Sequence, residues 1–146
     1  MASPLVFRCG RCGAMNRVAL LVPGRQPVCG RCKEDLDTAG SPAHVDLPAL
    51  QIAIGSSPAP VLVDFWAPWC APCRVFAPTL ERFAREQAGQ VVVLKLDTEA
   101  NPAAGARFGI QAIPTLVAFR GGREVDRVSG ALPLEELRRF AASAVA

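Results

Sequence analysis

The sequence predicts an α/β domain, a mixed central sheet flanked by helices, behind a small cysteine-rich ribbon. Three observations carry that prediction. From His44 onward, short runs of buried-strand character alternate with helical periodicity, the pattern of parallel strands joined by crossover helices. The last third instead reads strand, Gly-Gly turn, strand and helix, which adds an antiparallel hairpin. The first quarter holds two Cys-Gly-Arg-Cys turns and too few apolar residues for a core of its own.

The ribbon is placed at residues 1–37, where Leu5-Val-Phe7 and Val18-Ala-Leu-Leu-Val22 are the apolar stretches. Residues 38–43 are small, with Gly and Pro among them, and form a linker. The larger domain takes residues 44–146. Asp46-Leu-Pro-Ala-Leu50 reads as a capped helix start, with Leu47, Leu50 and Ile54 on one face. Val61–Trp66 is a buried strand. A helix follows from about Cys70 to Gln87, with a bend expected at Pro78, whose ring removes a backbone donor. Residues 91–97 form a second buried strand, and Asn101-Pro102 caps a short helix ending near Gly109. Thr115–Phe119, the Gly121-Gly122 turn and Glu124–Ser129 make the hairpin. Leu134, Leu137, Phe140, Ala141 and Ala144 make one face of the closing helix.

The chain has 146 residues and a net charge of +3. Residues 1–38 carry six basic and three acidic groups, so the whole excess belongs to the ribbon. The balanced larger domain gives no reason to expect nucleic acid. No apolar run approaches the ~20 residues of a membrane span. The N-terminus lacks a basic start followed by a long apolar stretch, so no signal peptide is expected.

Six cysteines form three Cys-x-x-Cys pairs with different fates. Cys9–Cys12 and Cys29–Cys32 are separated by 16 residues, the spacing of two metal-binding knuckles. Four thiolates there suit one structural zinc ion. Iron, or two disulfides, would satisfy the same spacing, and zinc is the reading adopted for a ribbon. Cys70-Ala-Pro-Cys73 has no partner pair and follows a strand directly. Its first sulfur then sits at a helix N-terminus, where free N–H groups and the macrodipole favour a thiolate. A thiolate in a Cys-x-x-Cys pair is equipped for thiol–disulfide exchange. Structural zinc and an exchange dithiol both suit a reducing compartment, so the cytoplasm is the expected address. Asp64 lies in an otherwise apolar strand, so its carboxyl is expected to be buried, raising its pKa and making it a proton acceptor. Trp69 beside the reactive turn is read as part of an exposed rim, with a core position as the alternative. Lys95 is read as extending its ammonium to solvent, and His44 is given no role.

Val61-Leu-Val-Asp64-Phe-Trp-Ala-Pro-Trp-Cys70-Ala-Pro-Cys73, Ile113-Pro114-Thr115 and Gly130-Ala131, in this order and spacing, closely resemble the thioredoxin family over about residues 44–146. With the four-cysteine module in front, the whole chain resembles the zinc-containing bacterial branch of that family, thioredoxin 2. The resemblance implies a protein-disulfide reductase in which Cys70 attacks as the more exposed sulfur and Cys73 resolves. It makes Asp64 the proton acceptor for Cys73 through water, and brings Lys95 near Asp64. Pro114 would be cis, although X–Pro bonds in general are cis in only ~5–6% of cases. Ile113 would pair with an extended substrate segment, and Trp69, Ile113, Gly130 and Ala131 would rim the dithiol. The partners implied are oxidised proteins and an NADPH-dependent thioredoxin reductase, with the chain a monomer. Ala71 and Ala112 stand where the family usually has glycine, and Arg74 where it often has lysine. Two other readings accompany this one: a ribbon that binds nucleic acid or an acidic protein, and a redox sensor that releases zinc on oxidation.

Overall fold

A computed structural model describes residues 4–145. Met1–Ser3, which begin the expected ribbon, and Ala146, which ends the expected larger domain, lie outside the described residues. Among the described residues there are two sheets. The first pairs β1 (Leu5–Arg8) antiparallel with β2 (Met15–Val18), with Leu5 opposite Val18. The elements that follow are β3 (Ala43–His44), α1 (Leu47–Ser56), β4 (Val61–Trp66), α2 (Ala71–Glu86), β5 (Val92–Asp97), α3 (Pro102–Phe108), β6 (Thr115–Arg120), β7 (Arg123–Ser129) and α4 (Leu134–Val145). The second sheet has the strand order β3-β5-β4-β6-β7. β3, β5 and β4 are parallel, whereas β6 and β7 run antiparallel, which makes the sheet mixed as expected.

Strand alternation divides the core. Val61, Val63 and Phe65 of β4, with Val92, Leu94 and Leu96 of β5, face the side packed by Leu50 and Ala53 of α1 and Ala104 of α3. Leu62, Val93, Leu116 and Ala118 face the other side, against Phe76, Leu80 and Phe83 of α2 and Leu137 and Ala141 of α4. Complete burial of such a side chain contributes roughly 1.5–3 kcal/mol, so these two faces are the main source of stability. The central strands therefore read as nearly continuous apolar runs. β7 lies at an edge and is mostly exposed, with Arg123, Glu124, Asp126 and Arg127 along it, charges that discourage pairing with another chain.

Several local signals act as the sequence implies, and the cap expected of Asn101 does not form. Asp46 caps α1 by accepting from the Ala49 N–H at 2.9 Å. α2 runs unbroken through Pro78. At the start of α3 the N-cap Asn101 makes no side-chain cap bond, and its Nδ2 instead donates to the Asp97 carbonyl at 3.1 Å. Gly121 and Gly122 take φ of 61° and 81°, the left-handed pair that a two-residue hairpin turn requires. β3 is an addition to the expected pattern. Its two residues pair with Leu94 and Lys95, so the sheet begins at Ala43, the last residue of the expected linker.

The ribbon docks just beyond the C-terminal end of α2. The Val6 N–H donates to the Gly89 carbonyl at 2.8 Å, and Ala88 packs against the cluster of Phe7, Cys9, Cys29 and Leu36. Gly89 has φ of +82°, and a Cβ there would lie 2.9 Å from Leu5 and 3.1 Å from Phe7. Only glycine allows that approach. Of the two apolar stretches read from the sequence, the first packs. Leu20, Leu21 and Val22 of the second are exposed.

Candidate active site and metal centre

β4 ends at Trp66, and a short turn delivers Cys70 to the N-cap of α2. The Cys70 Sγ accepts from the Cys73 N–H at 3.2 Å, so one free donor of the helix end points at sulfur. Cys70 and Cys73 are joined as a disulfide, with their Cα atoms 5.3 Å apart. Ala67, Trp66 and Ile113 surround the pair. The expected contrast in exposure is slight in this oxidised form: Cys70 is 4% exposed and Cys73 2%.

Ile113–Pro114 is cis, and the Ile113 carbonyl lies 3.8 Å from the Cys70 Sγ. The Pro114 carbonyl accepts from the Gly130 N–H at 2.8 Å, which ties the loop carrying Gly130 and Ala131 to the proline. Gly130 and Ala131 are exposed, and Gly130 has φ of +106°. Trp69 is 66% exposed, which places it on the surface and not in the core. Arg74 donates to the Pro68 carbonyl at 2.8 Å, bracing the turn from the first turn of α2.

Asp64 is fully buried, and neither carboxylate oxygen has a hydrogen-bond partner among the described residues. Alternation puts it on the same face as Leu62, the face that receives α2, whose inward side chains begin with Cys73. Burial pushes the Asp64 carboxyl from its ordinary 3.8 up to about 7, against the opposing charge of Lys95. Lys95 lies opposite Asp64 in the β4–β5 register, and its Nζ is 4.6 Å from the centre of the Trp66 ring. Its ammonium is thus held over an aromatic face, not simply extended to solvent. The His44 ring meets Trp66 edge-on with centroids 5.8 Å apart. Sequence reasoning missed Trp66 and His44 as parts of this cluster. The signal that could have found them was cross-strand register, which pairs His44 with Lys95.

At the other end of the molecule the Sγ atoms of Cys9, Cys12, Cys29 and Cys32 all lie within 4.8 Å of one another. Cys9 to Cys32 and Cys12 to Cys29 are each 3.6 Å apart. A tetrahedron of sulfurs about 2.3 Å from zinc has edges of about 3.8 Å, so the donor set fits that ion. The two knuckles also match each other in backbone detail. The Arg11 and Arg31 N–H groups each donate to the first sulfur of their knuckle at 3.4 Å. Gly13 and Lys33 each donate to the carbonyl of that first cysteine at 2.9 Å, with φ of 78° and 68°.

A strand–dithiol–helix unit facing a cis-proline loop defines a thiol–disulfide oxidoreductase. Comparison with known proteins gives the family. The thioredoxin family model matches residues 43–143. Thioredoxin C-3 of Corynebacterium nephridii is 39% identical over 136 residues, covering 93% of this chain and 92% of that one, so the similarity reaches into the ribbon. Thioredoxin 1 of a Nostoc species is 51% identical over 77 residues, covering 53% of this chain and 72% of its own length. The solved thioredoxin of Malassezia sympodialis superposes with a TM-score of 0.65 at 29% identity, covering 73% of this chain and 93% of that one. The chain belongs to the thioredoxin family.

Proposed function

We propose that this thioredoxin is a general protein-disulfide reductase of the zinc-containing thioredoxin 2 branch. The observation that carries the reading is the Cys70–Cys73 disulfide at the start of α2, beside the Ile113 carbonyl. In the reduced form the Cys70 thiolate attacks one sulfur of a substrate disulfide. A Cys70–substrate bond forms, the substrate S–S bond breaks, and the departing sulfur takes a proton. The Cys73 thiol then gives its proton to Asp64 through water and attacks the Cys70 sulfur, releasing the second substrate thiol. The substrate gains two electrons and the chain ends as the Cys70–Cys73 disulfide. A thioredoxin reductase drawing on NADPH returns it to the dithiol.

Trp69, Ile113, Gly130 and Ala131 form the rim on which an extended substrate segment lies. Cis Pro114 presents the Ile113 backbone for strand-like pairing with that segment. Cys9, Cys12, Cys29 and Cys32 hold one zinc ion, which stabilises the fold of the ribbon and takes no part in the exchange. The division into a ribbon at 1–37, a linker at 38–43 and the larger domain at 44–146 belongs to the same reading, as do a monomeric state and the cytoplasm. Among the described residues, no helix is long and apolar enough to cross a membrane.

The test is the equilibrium redox midpoint of Cys70–Cys73 on zinc-loaded protein, with Cys70→Ser as control. A value within a few tens of millivolts of about −270 mV identifies a reductant, and one near about −180 mV points to isomerase-like work instead. No titratable couple at all would end the reading.

A further inference from the structure

The ribbon carries an apolar surface that its own fold does not use. Leu20, Leu21, Val22 and Val28 are 72%, 40%, 42% and 47% exposed, and none of them belongs to the cluster around Phe7, Cys9, Cys29 and Leu36. A turn closed by the Arg25 N–H donating to the Val22 carbonyl at 3.1 Å holds the loop out. Leu20, Val22, Arg25, Gln26, Pro27 and Val28 line a depression of about 430 Å³. Gln26 fixes its wall by donating to the Pro27 and Leu36 carbonyls at 2.8 and 2.9 Å.

Charge narrows the choice of occupant. Among the described residues, the side chains of Arg17, Arg25 and Arg31 show no ion-pair or hydrogen-bond partner, and Arg25 stands in the depression itself. Glu34 is taken by Arg11, and Asp37 accepts from the Ala39 N–H. Asp35, opposite Val28 across an isolated bridge, and Asp37 are then the acids set against Arg8, Arg17, Arg25, Arg31 and Lys33, so the ribbon keeps its net positive charge. Nucleic acid is disfavoured because base stacking needs exposed aromatics, and Phe7, the ribbon's aromatic residue, is only 4% exposed.

We propose that the Leu20–Val28 loop is a docking surface for an acidic, aliphatic segment of a partner protein. Leucine-type side chains fill the depression and carboxylates meet Arg25, drawn by the net positive charge of the ribbon. This surface is separate from the dithiol. The ribbon docks past the C-terminal end of α2, whereas Cys70 lies at its N-terminus, about 24 Å away along 16 residues.

The experiment is fluorescence anisotropy on the zinc-loaded full-length chain, using a labelled peptide that repeats Glu-Leu-Asp-Leu. In the control peptide serine replaces every leucine. Neither peptide contains a disulfide, so the outcome is independent of the reductase reading. The wild type binds the leucine peptide, more weakly as salt rises, and does not bind the control. Leu20→Ser combined with Leu21→Ser, and separately Arg25→Glu, each weaken binding by about tenfold or more. Both variants still reduce a small aromatic disulfide at the wild-type rate, which shows them folded. Equal binding of both peptides, no binding, or binding unchanged by the substitutions overturns the proposal. Uptake on anionic vesicles in place of the peptide, or self-association abolished by the leucine substitutions, overturns it in favour of a membrane or of a second copy.

Discussion

Asp64, buried without a hydrogen-bond partner among the described residues, and Lys33, in a left-handed backbone conformation, are each held in a state their side chains disfavour. The folded chain holds Asp64 protonated up to about 7, whereas in the unfolded chain it ionises at the ordinary 3.8. The stability that goes with the neutral carboxyl is therefore complete below 3.8 and is lost as pH rises through about 7. Above that the buried charge costs on the order of 4 kcal/mol. Asp64→Asn should accordingly raise urea stability by a few kcal/mol at alkaline pH and change it little in acid. In rapid-mixing kinetics the same variant should slow the resolving step by Cys73 and leave the first attack by Cys70 nearly intact. Equal slowing of both steps would remove Asp64 from the mechanism. Lys33 occupies the left-handed φ that Gly13 takes in the twin knuckle, a conformation that costs a side-chain-bearing residue about 1–2 kcal/mol. Lys33→Gly should stabilise the ribbon by about 1 kcal/mol net of added chain entropy, read as tighter zinc retention against a chelator.

Among the elements, α2 links the two ends of the molecule. Its first turn carries the dithiol, its inward face fills the core, and the residues after it receive the ribbon. Gly89 is a point of close approach between the ribbon and the residues after α2. Gly89→Val should force Leu5 and Phe7 away, at a cost of roughly 1–3 kcal/mol. The checking measurement is hydrogen exchange at the Val6 amide, which should accelerate while the redox midpoint of Cys70–Cys73 stays fixed. The sequence made the main elements legible because each rests on local chemistry: Asp46 as a cap, Gly121-Gly122 as a turn, and the apolar face of α4 from Leu134 to Ala144. Asp64 could be read as buried because an apolar run without alternation leaves a strand residue no solvent face. β3 was not legible, since two residues have no periodicity and gain their identity only by pairing with Leu94 and Lys95. The position of Lys95 over Trp66 was hidden for the same reason, because strand register is a long-range property. The exposure of Leu20 to Val22 was also hidden, because which apolar residues of a short module find partners is settled only by tertiary packing.

For the whole molecule, metal is the variable that should separate the two sheets. Structural zinc contributes roughly 10–16 kcal/mol of apparent binding energy in small zinc peptides, more than the few buried side chains of this ribbon supply. Stripping the metal from reduced protein with a chelator should melt β1 and β2 and expose Val6, while β3 to α4 remain folded and the dithiol remains active. Loss of both together, seen as one cooperative collapse in circular dichroism and activity, would show the ribbon to be integral to the larger core. The length of α2 also separates the six cysteines into two groups. A sulfur–sulfur bond spans only about 2 Å, and Cys70 lies more than ten times that far along the helix from the ribbon's thiols. In the folded chain no internal shuffling can carry an electron pair from one group to the other. The ribbon's thiols are thereby insulated from a neighbour that oxidises and reduces on every turnover.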